Sequence, residues 1–281
     1  MDRLKRAKKR VWPKGMNRRD APPFDRQLQT RSIIKTDTVP LPLVHVTAAW
    51  TANEILRGGK FETRHCDVFN RDLVYFFVLR PAYRSRFGDE ESHQITRFPV
   101  VFVLKPDALP DPVHVYPFDT GAAAKGVFAT QADKYVPLED YALAADSRAP
   151  AGHISWAFGS VEAYFSGLLR DGLLDGVPQS ESVTRGFVDV AMMGRDGSNQ
   201  HDRRASAIEV ASSHDIDLAG RVGLVIFPKQ YLEGNTDLID RVAALGVETD
   251  IYDWQPNRMP DDFQADIADL TRTWLRTSGY L

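Results

Sequence analysis

At three places polar side chains stand inside apolar runs of this chain, where a polar group costs free energy unless it is bonded or put to use. The first is His45, in Leu41-Pro-Leu-Val-His45-Val-Thr47; a histidine at a strand end can hold a hydroxyl, or it can be a satisfied core histidine. The second place is Leu73-Val-Tyr75-Phe-Phe-Val-Leu79 followed by Arg80-Pro81-Ala-Tyr83. Tyr75, Phe76 and Phe77 also read as plain core aromatics, but Arg80 sets a guanidinium at the strand's mouth, where a phosphate can be gripped bidentately. The third is Glu209, in Arg203-Arg-Ala-Ser-Ala-Ile-Glu209-Val. Alternation puts Ala207 and Glu209 on one face and Ile208 and Val210 on the other. A carboxylate delivered by a strand after a long loop suits catalysis, and it equally suits the surface of an edge strand.

Other chemistries lack their residues. The chain has no GxxxxGK[ST], no GxGxxG opening a helix after a strand, no HExxH and no GxSxG, and its single cysteine, Cys66, supplies neither a disulfide nor a cysteine metal site. A metal-dependent nuclease would have to draw on Asp67, Asp72 and Glu209, with no lysine two positions after Glu209. Asp119, in Asp119-Thr-Gly121, presents a carboxylate at a turn, where it also bonds its own backbone. His153, His201 and His214 fall in polar loops with no metal-ligand spacing.

These residues need elements to hold them. LPLVHVT reads as a strand, with Thr47 capping a helix over 48–56 that Gly58 and Gly59 close. Residues 73–79 and 99–104 read as buried strands, and VHVYPFDTG as a strand running into a turn. Apolar residues at 161, 165, 168, 169 and 173 predict an amphipathic helix over 161–174. Between about Pro178 and Arg204 the Gly, Ser and charged residues predict a loop, followed by strands in ASAIEVAS and VGLVIFP. Helices over 238–245 and 263–274 flank a last strand, ETDIYDW. Strands interspersed irregularly among helices give an α+β class.

With 281 residues, 43% hydrophobic and 26% charged, the chain can bury a sizeable core. Residues 1 to 35 hold twelve Lys or Arg against three Asp, so this segment carries +9 and leaves −12 for the rest of a chain whose net charge is −3. Residues 1–40, basic and dotted with proline, read as an extension outside the core, and 41–281 as the folded domain. The run Lys5, Arg6, Lys8, Lys9, Arg10 can neutralise phosphates of a nucleic acid, or serve as a solvated or partner-binding tail. No stretch approaches the roughly 18 apolar residues of a membrane-spanning helix, and no apolar segment follows the basic start as in a signal peptide. The expectation is a cytoplasmic protein with no membrane partner.

The order of these features resembles the ADP-ribosyltransferases, the DarT-like bacterial toxins in particular. His45-Val-Thr47 followed by Asn53-Glu-Ile-Leu-Arg-Gly-Gly59 is similar to the family's His-x-Thr and glycine-ended helix. Tyr75-Phe-Phe-Val-Leu-Arg80-Pro81 is similar to its aromatic strand ending in arginine, and Arg203 to Glu209 to its late catalytic glutamate after basic residues. The likeness covers residues 41–84 and 203–228.

The resemblance implies a split, two-sheet ADP-ribosyltransferase core with flanking helices, and NAD+ as substrate in the cleft between the sheets. It implies Glu209 and Arg80 as catalytic residues and His45, Thr47, Tyr75 and Tyr83 as NAD+-binding residues. The acceptor would be a macromolecule, nucleic acid or protein, in the setting of a toxin with an antitoxin partner or of an anti-phage effector. Two other readings stay open at this point: a nucleic-acid-binding or regulatory protein that uses its basic arm, and the metal-dependent nuclease.

Overall fold

The computed structural model describes residues 15–19, 22–83, 93–133, 135–193 and 202–281. The basic run of residues 5–10 and His201 lie outside these. In chain order the elements are α1 (Gln27–Arg31), β1 (Leu43–Ala48), α2 (Ala49–Gly58), β2 (Lys60–Phe61), β3 (Arg64–Cys66), β4 (Arg71–Val78), β5 (Pro99–Leu104) and β6 (His114–Tyr116). There follow α3 (Thr120–Ala124), α4 (Ala149–Ala157), α5 (Val161–Phe165), α6 (Ser182–Met192), β7 (Glu209–Ser212), β8 (Ile216–Asp217), β9 (Val222–Pro228), α7 (Lys229–Leu232), α8 (Thr236–Leu245), β10 (Glu248–Tyr252) and α9 (Gln264–Thr277).

The fold is a mixed α/β arrangement built on one mixed sheet. Its strands run β10-β9-β5-β1-β4-β7-β6, with β3 added against β4, while β2 and β8 form a separate two-stranded ribbon. Along that order, neighbours are antiparallel except β9 and β10, which run parallel because α7 and α8 carry the chain back between them. β5, Pro-Val-Val-Phe-Val-Leu, is buried at every position, as a central strand covered on both faces must be.

Two separate sheets were expected, and a single connected one is found, but its connection is thin at one place. β1 pairs with β5 along all six residues, Leu43 to Ala48. With β4 it pairs only through Leu43 with Val78 and Val44 with Phe77. Beyond Val44 the two strands part, so the sheet is split along the last four of the six residues of β1.

Three expectations need correction. The N-terminal segment is not outside the core from residue 15 onward. Leu28 is fully buried, Arg18 and Arg19 pair with Glu139 and Asp140, and Arg31 pairs with Glu181. The segment's backbone crosses α4 so closely that a side-chain carbon at Gly152 would lie 2.7 Å from the Ile33 carbonyl oxygen. The helix expected over 161–174 ends at Phe165, because Gly167 turns the chain at a φ of 71°. And the loop expected over 178–204 contains α6, whose Val183, Phe187 and Val190 are buried at helical spacing. Among the described residues no helix is long and apolar enough to cross a membrane.

Candidate active site

Where β1 and β4 part, a cleft of about 870 Å3 opens between them and the helix and ribbon that follow β1. His45 and Thr47 line it from β1, Thr51 and Glu54 from α2, Cys66 from β3 and Tyr75 from β4. Thr47 remains in the strand. It is not the cap of α2, whose N-cap position falls on Ala48 with no side-chain bond. The far end of α2 closes as expected, with Gly59 in the left-handed region at a φ of 68°.

His45 stands at the split itself. Its Nδ1 lies 2.9 Å from the carbonyl oxygen of Tyr75, so Nδ1 carries the proton and donates across the gap that the backbone ladder leaves open. In the neutral ring Nε2 is then an acceptor. Burial lowers the pKa of His45, with nearby Arg64 acting the same way and the Tyr75 carbonyl opposing them. The ring packs 5.0 Å from Phe61 and 5.7 Å from Phe76, which fixes its plane. The Tyr75 hydroxyl donates to Cys66 Sγ at 2.7 Å, and burial pushes the phenol well above its ordinary range.

Glu209 opens β7, between β4 and β6, and is 3% exposed, so it is not an edge-strand surface residue. The register sets Tyr75 opposite Ala211 and Phe77 opposite Glu209, and on the other side His114 opposite Ala211 and Tyr116 opposite Glu209. Opposed residues share a face, so Tyr75, Glu209, His114 and Tyr116 lie on one side of the sheet. The Thr120 hydroxyl donates to Glu209 Oε1 at 2.5 Å and the Thr120 N–H to Oε2 at 3.2 Å. Burial raises the Glu209 carboxyl well above the ordinary carboxylate range, Asp119 adds to this, and the two Thr120 bonds oppose it.

Asp119 is not a turn that presents its carboxylate to a ligand. It caps α3 by accepting the Ala122 N–H at 2.7 Å and faces Arg204 at 3.6 Å. Burial raises its pKa, against the pull of Arg204.

Arg80 and Tyr83 do not join the cleft. Leu79 reverses the chain at a φ of 57°, and the Arg80 guanidinium turns inward, donating to the Ser206 carbonyl and hydroxyl at 3.0 and 2.8 Å and to the Arg203 carbonyl at 3.1 Å. It ties the end of β4 to the chain entering β7, a structural clamp, and lines a different cavity beside α9. Tyr83 donates its hydroxyl to the Pro260 carbonyl at 2.8 Å, anchoring this stretch to the turn before α9. The resemblance implies both at the NAD+ site, and the reversal at Leu79 carries them away from it.

The metal-dependent nuclease reading has no ready assembly among the described residues. No group of three His, Cys, Asp or Glu side chains there is placed to hold a metal ion. Asp67 and Asp72 are exposed beside His65, whereas Glu209 is buried against Thr120. His153 is not in a polar loop but fully buried on α4, its Nδ1 bonded to the Ser32 hydroxyl at 2.9 Å. Sequence reasoning missed Thr120 and His114. The signal for His114 was present, since it is a polar residue inside Val113-His-Val-Tyr116, the same pattern that drew attention to His45. Compared with protein-family models, curated proteins and solved structures, the chain finds no match.

Proposed function

We propose that this chain is an ADP-ribosyltransferase that breaks the bond between nicotinamide and ribose in NAD+ and passes the ADP-ribose to a macromolecular acceptor. The observation that carries this reading is the split between β1 and β4. It gathers His45, Thr47 and Tyr75, from segments 30 residues apart, onto one cleft of about 870 Å3, while Glu209 lies buried on the next strand and does not itself line that cleft. That volume suits a ligand the size of a dinucleotide's reacting half. A split core of this kind is what the family resemblance implies, and the ADP-ribosyltransferase fold is part of the proposal.

Each side chain then has a task. His45, neutral and locked by the Tyr75 carbonyl, offers Nε2 to a ribose hydroxyl or the nicotinamide amide. The Tyr75 ring offers an aromatic face to the nicotinamide. Lys60, Arg64 and Lys125 line the same cleft beside Glu54, Glu62 and Asp67, with Lys60 held by Asp215 at 2.7 Å and Arg64 facing Glu54 at 4.0 Å. Cleavage builds positive charge on the ribose, as in glycoside hydrolysis, and this reading assigns Glu209, buried one strand away against Thr120, as the carboxylate that stabilises it.

Purified protein incubated with labelled NAD+ and a mixed lysate tests the reading, wild type beside Glu209→Gln, which keeps the side chain's shape and acceptor oxygen. The expected result is nicotinamide release and label on a macromolecule, both reduced at least about 100-fold by the substitution. Nuclease or protease treatment of the labelled product names the acceptor class. No NAD+ consumption in lysates from several sources would overturn it.

A further inference from the structure

A second cavity, of about 850 Å3, is enclosed by the N-terminal segment, β6 and the start of β4, and it shares no lining residue with the cleft. Four arginines line it: Arg18, Arg19 and Arg26 from the segment and Arg71 from β4. Arg18 pairs with Glu139 at 2.6 Å and Arg19 pairs with Asp140, and these bonds hold the segment over the sheet. Arg26 and Arg71 are exposed, and among the described residues neither has a carboxylate partner. Two positive charges are thus left unbalanced at one cavity.

Its inner wall carries polar groups with nothing to bond. Arg19 Nε and both ring nitrogens of His114 are buried without a hydrogen-bond partner, and His114 is only 6% exposed. Tyr116, 3% exposed, also lines the cavity, and its hydroxyl makes no hydrogen bond to a described residue. Groups of this kind are uncommon in a folded protein unless water or a ligand meets them. The excess of positive charge is felt at the same wall, where Arg71 and Arg18 join burial in keeping His114 uncharged. Val113, Leu143 and Ala144 add an apolar surface.

We propose that this cavity binds a small phosphomonoester, its phosphate held by Arg26 and Arg71 and its organic part set against Val113, Leu143 and Ala144. The charge favours phosphate: a monoester carries nearly two negative charges at neutral pH, the number left unbalanced, where a carboxylate carries one. The guanidinium forks also match phosphate oxygens two at a time. A bare phosphate would leave most of the cavity unfilled, so an organic part belongs to the ligand. The inference stands apart from the transferase reading, because it concerns a separate cavity and its test follows binding, not turnover.

Calorimetric titration of the full chain with adenosine monophosphate, inorganic phosphate, adenosine and acetate, all at one ionic strength, tests this. Adenosine monophosphate should bind at least about tenfold more tightly than adenosine or acetate, with inorganic phosphate competing for the same site. Arg26→Gln combined with Arg71→Gln removes only exposed arginines without ion pairs, so the melting temperature should stay within about 2 °C of wild type while the affinity falls at least about tenfold. Arg64→Gln, in the cleft, should leave the affinity within about twofold, which separates the two cavities. The ring signals of His114, identified by their loss in His114→Phe, should move in 1H–15N NMR spectra when the ligand is added. Undiminished affinity in the double variant, loss in Arg64→Gln instead, or adenosine binding as tightly as its monophosphate would each overturn the proposal. So would a wild-type chain that binds neither adenosine monophosphate nor phosphate.

Discussion

The two sides of β1 have opposite characters. Toward β5 the ladder is complete, and β5 and β9 beyond it are almost wholly buried. Toward β4 the ladder stops after two residue pairs, and the gap carries a histidine, a threonine and a tyrosine. The first side uses its backbone groups on each other and leaves nothing to offer a ligand. The second leaves backbone and side-chain groups for other uses, and His45 bonding the Tyr75 carbonyl is the repair that keeps the opening from closing or tearing. A binding site on a sheet can thus be made by interrupting a ladder beside a strand that is anchored fully on its other edge.

The largest effect that separates the two sides is on stability. Phe227, on β9, is fully buried on the unbroken side. Phe227→Ala should cost about 3–5 kcal/mol in a urea unfolding curve. A loss near zero would mean that the continuous side is not the part that holds the fold.

Acid should act on the other half. His114 on β6 and His153 on α4 both have pKa values lowered by burial from 6.5 to about 3, and neither β5, β9 nor β10 contains a histidine. Between those values the unfolded chain binds protons that the folded chain does not, so protonation favours unfolding. The stability these residues provide is present above pH 6.5 and is lost as pH falls toward about 3, by roughly a few kcal/mol in total. Glu209 has the opposite sign: its raised pKa costs stability as pH rises above 4.5, so Glu209→Gln should lessen any alkaline decline. Hydrogen exchange at the two ends of the acid window should show β6 and α4 losing protection before β5. Uniform loss would erase the distinction between the halves.

The smallest effect belongs to the cleft. Tyr75→Phe removes the O–H to Cys66 contact but keeps the ring, and should change stability by about 1 kcal/mol or less. NAD+ turnover should stay within about twofold, whereas Tyr75→Ala should lower it much further. Equal loss in both would assign the phenol a role that the ring does not have.

Much of this was legible in the residues. β5 was read with its observed ends, because a run of Val and Phe bounded by Pro and a turn has one economical conformation. His45, Thr47 and Tyr75 were found because a polar group in an apolar strand demands a reason, and they line one cleft. The same rule applied to His114 would have added it. Arg80 was misassigned because one non-glycine residue with a φ of 57°, Leu79, turns its guanidinium away from the strand's mouth, and a leucine carries no signal of such a turn. The N-terminal segment was placed outside the core because its composition is basic, yet Glu139, Asp140 and Glu181, more than a hundred residues away, meet its arginines.

The sequence by itself determined which strands are buried, where the helix after β1 ends and which polar residues sit among apolar ones, since these follow from side-chain chemistry read over a few neighbours. Only the tertiary structure decided that the sheet splits between β1 and β4, that Arg80 is a clamp, and that Glu209 meets Thr120 and His114. Those outcomes depend on which distant strand lies alongside and for how many residues. That register is set by the packing of the whole core, and no local stretch of sequence contains it.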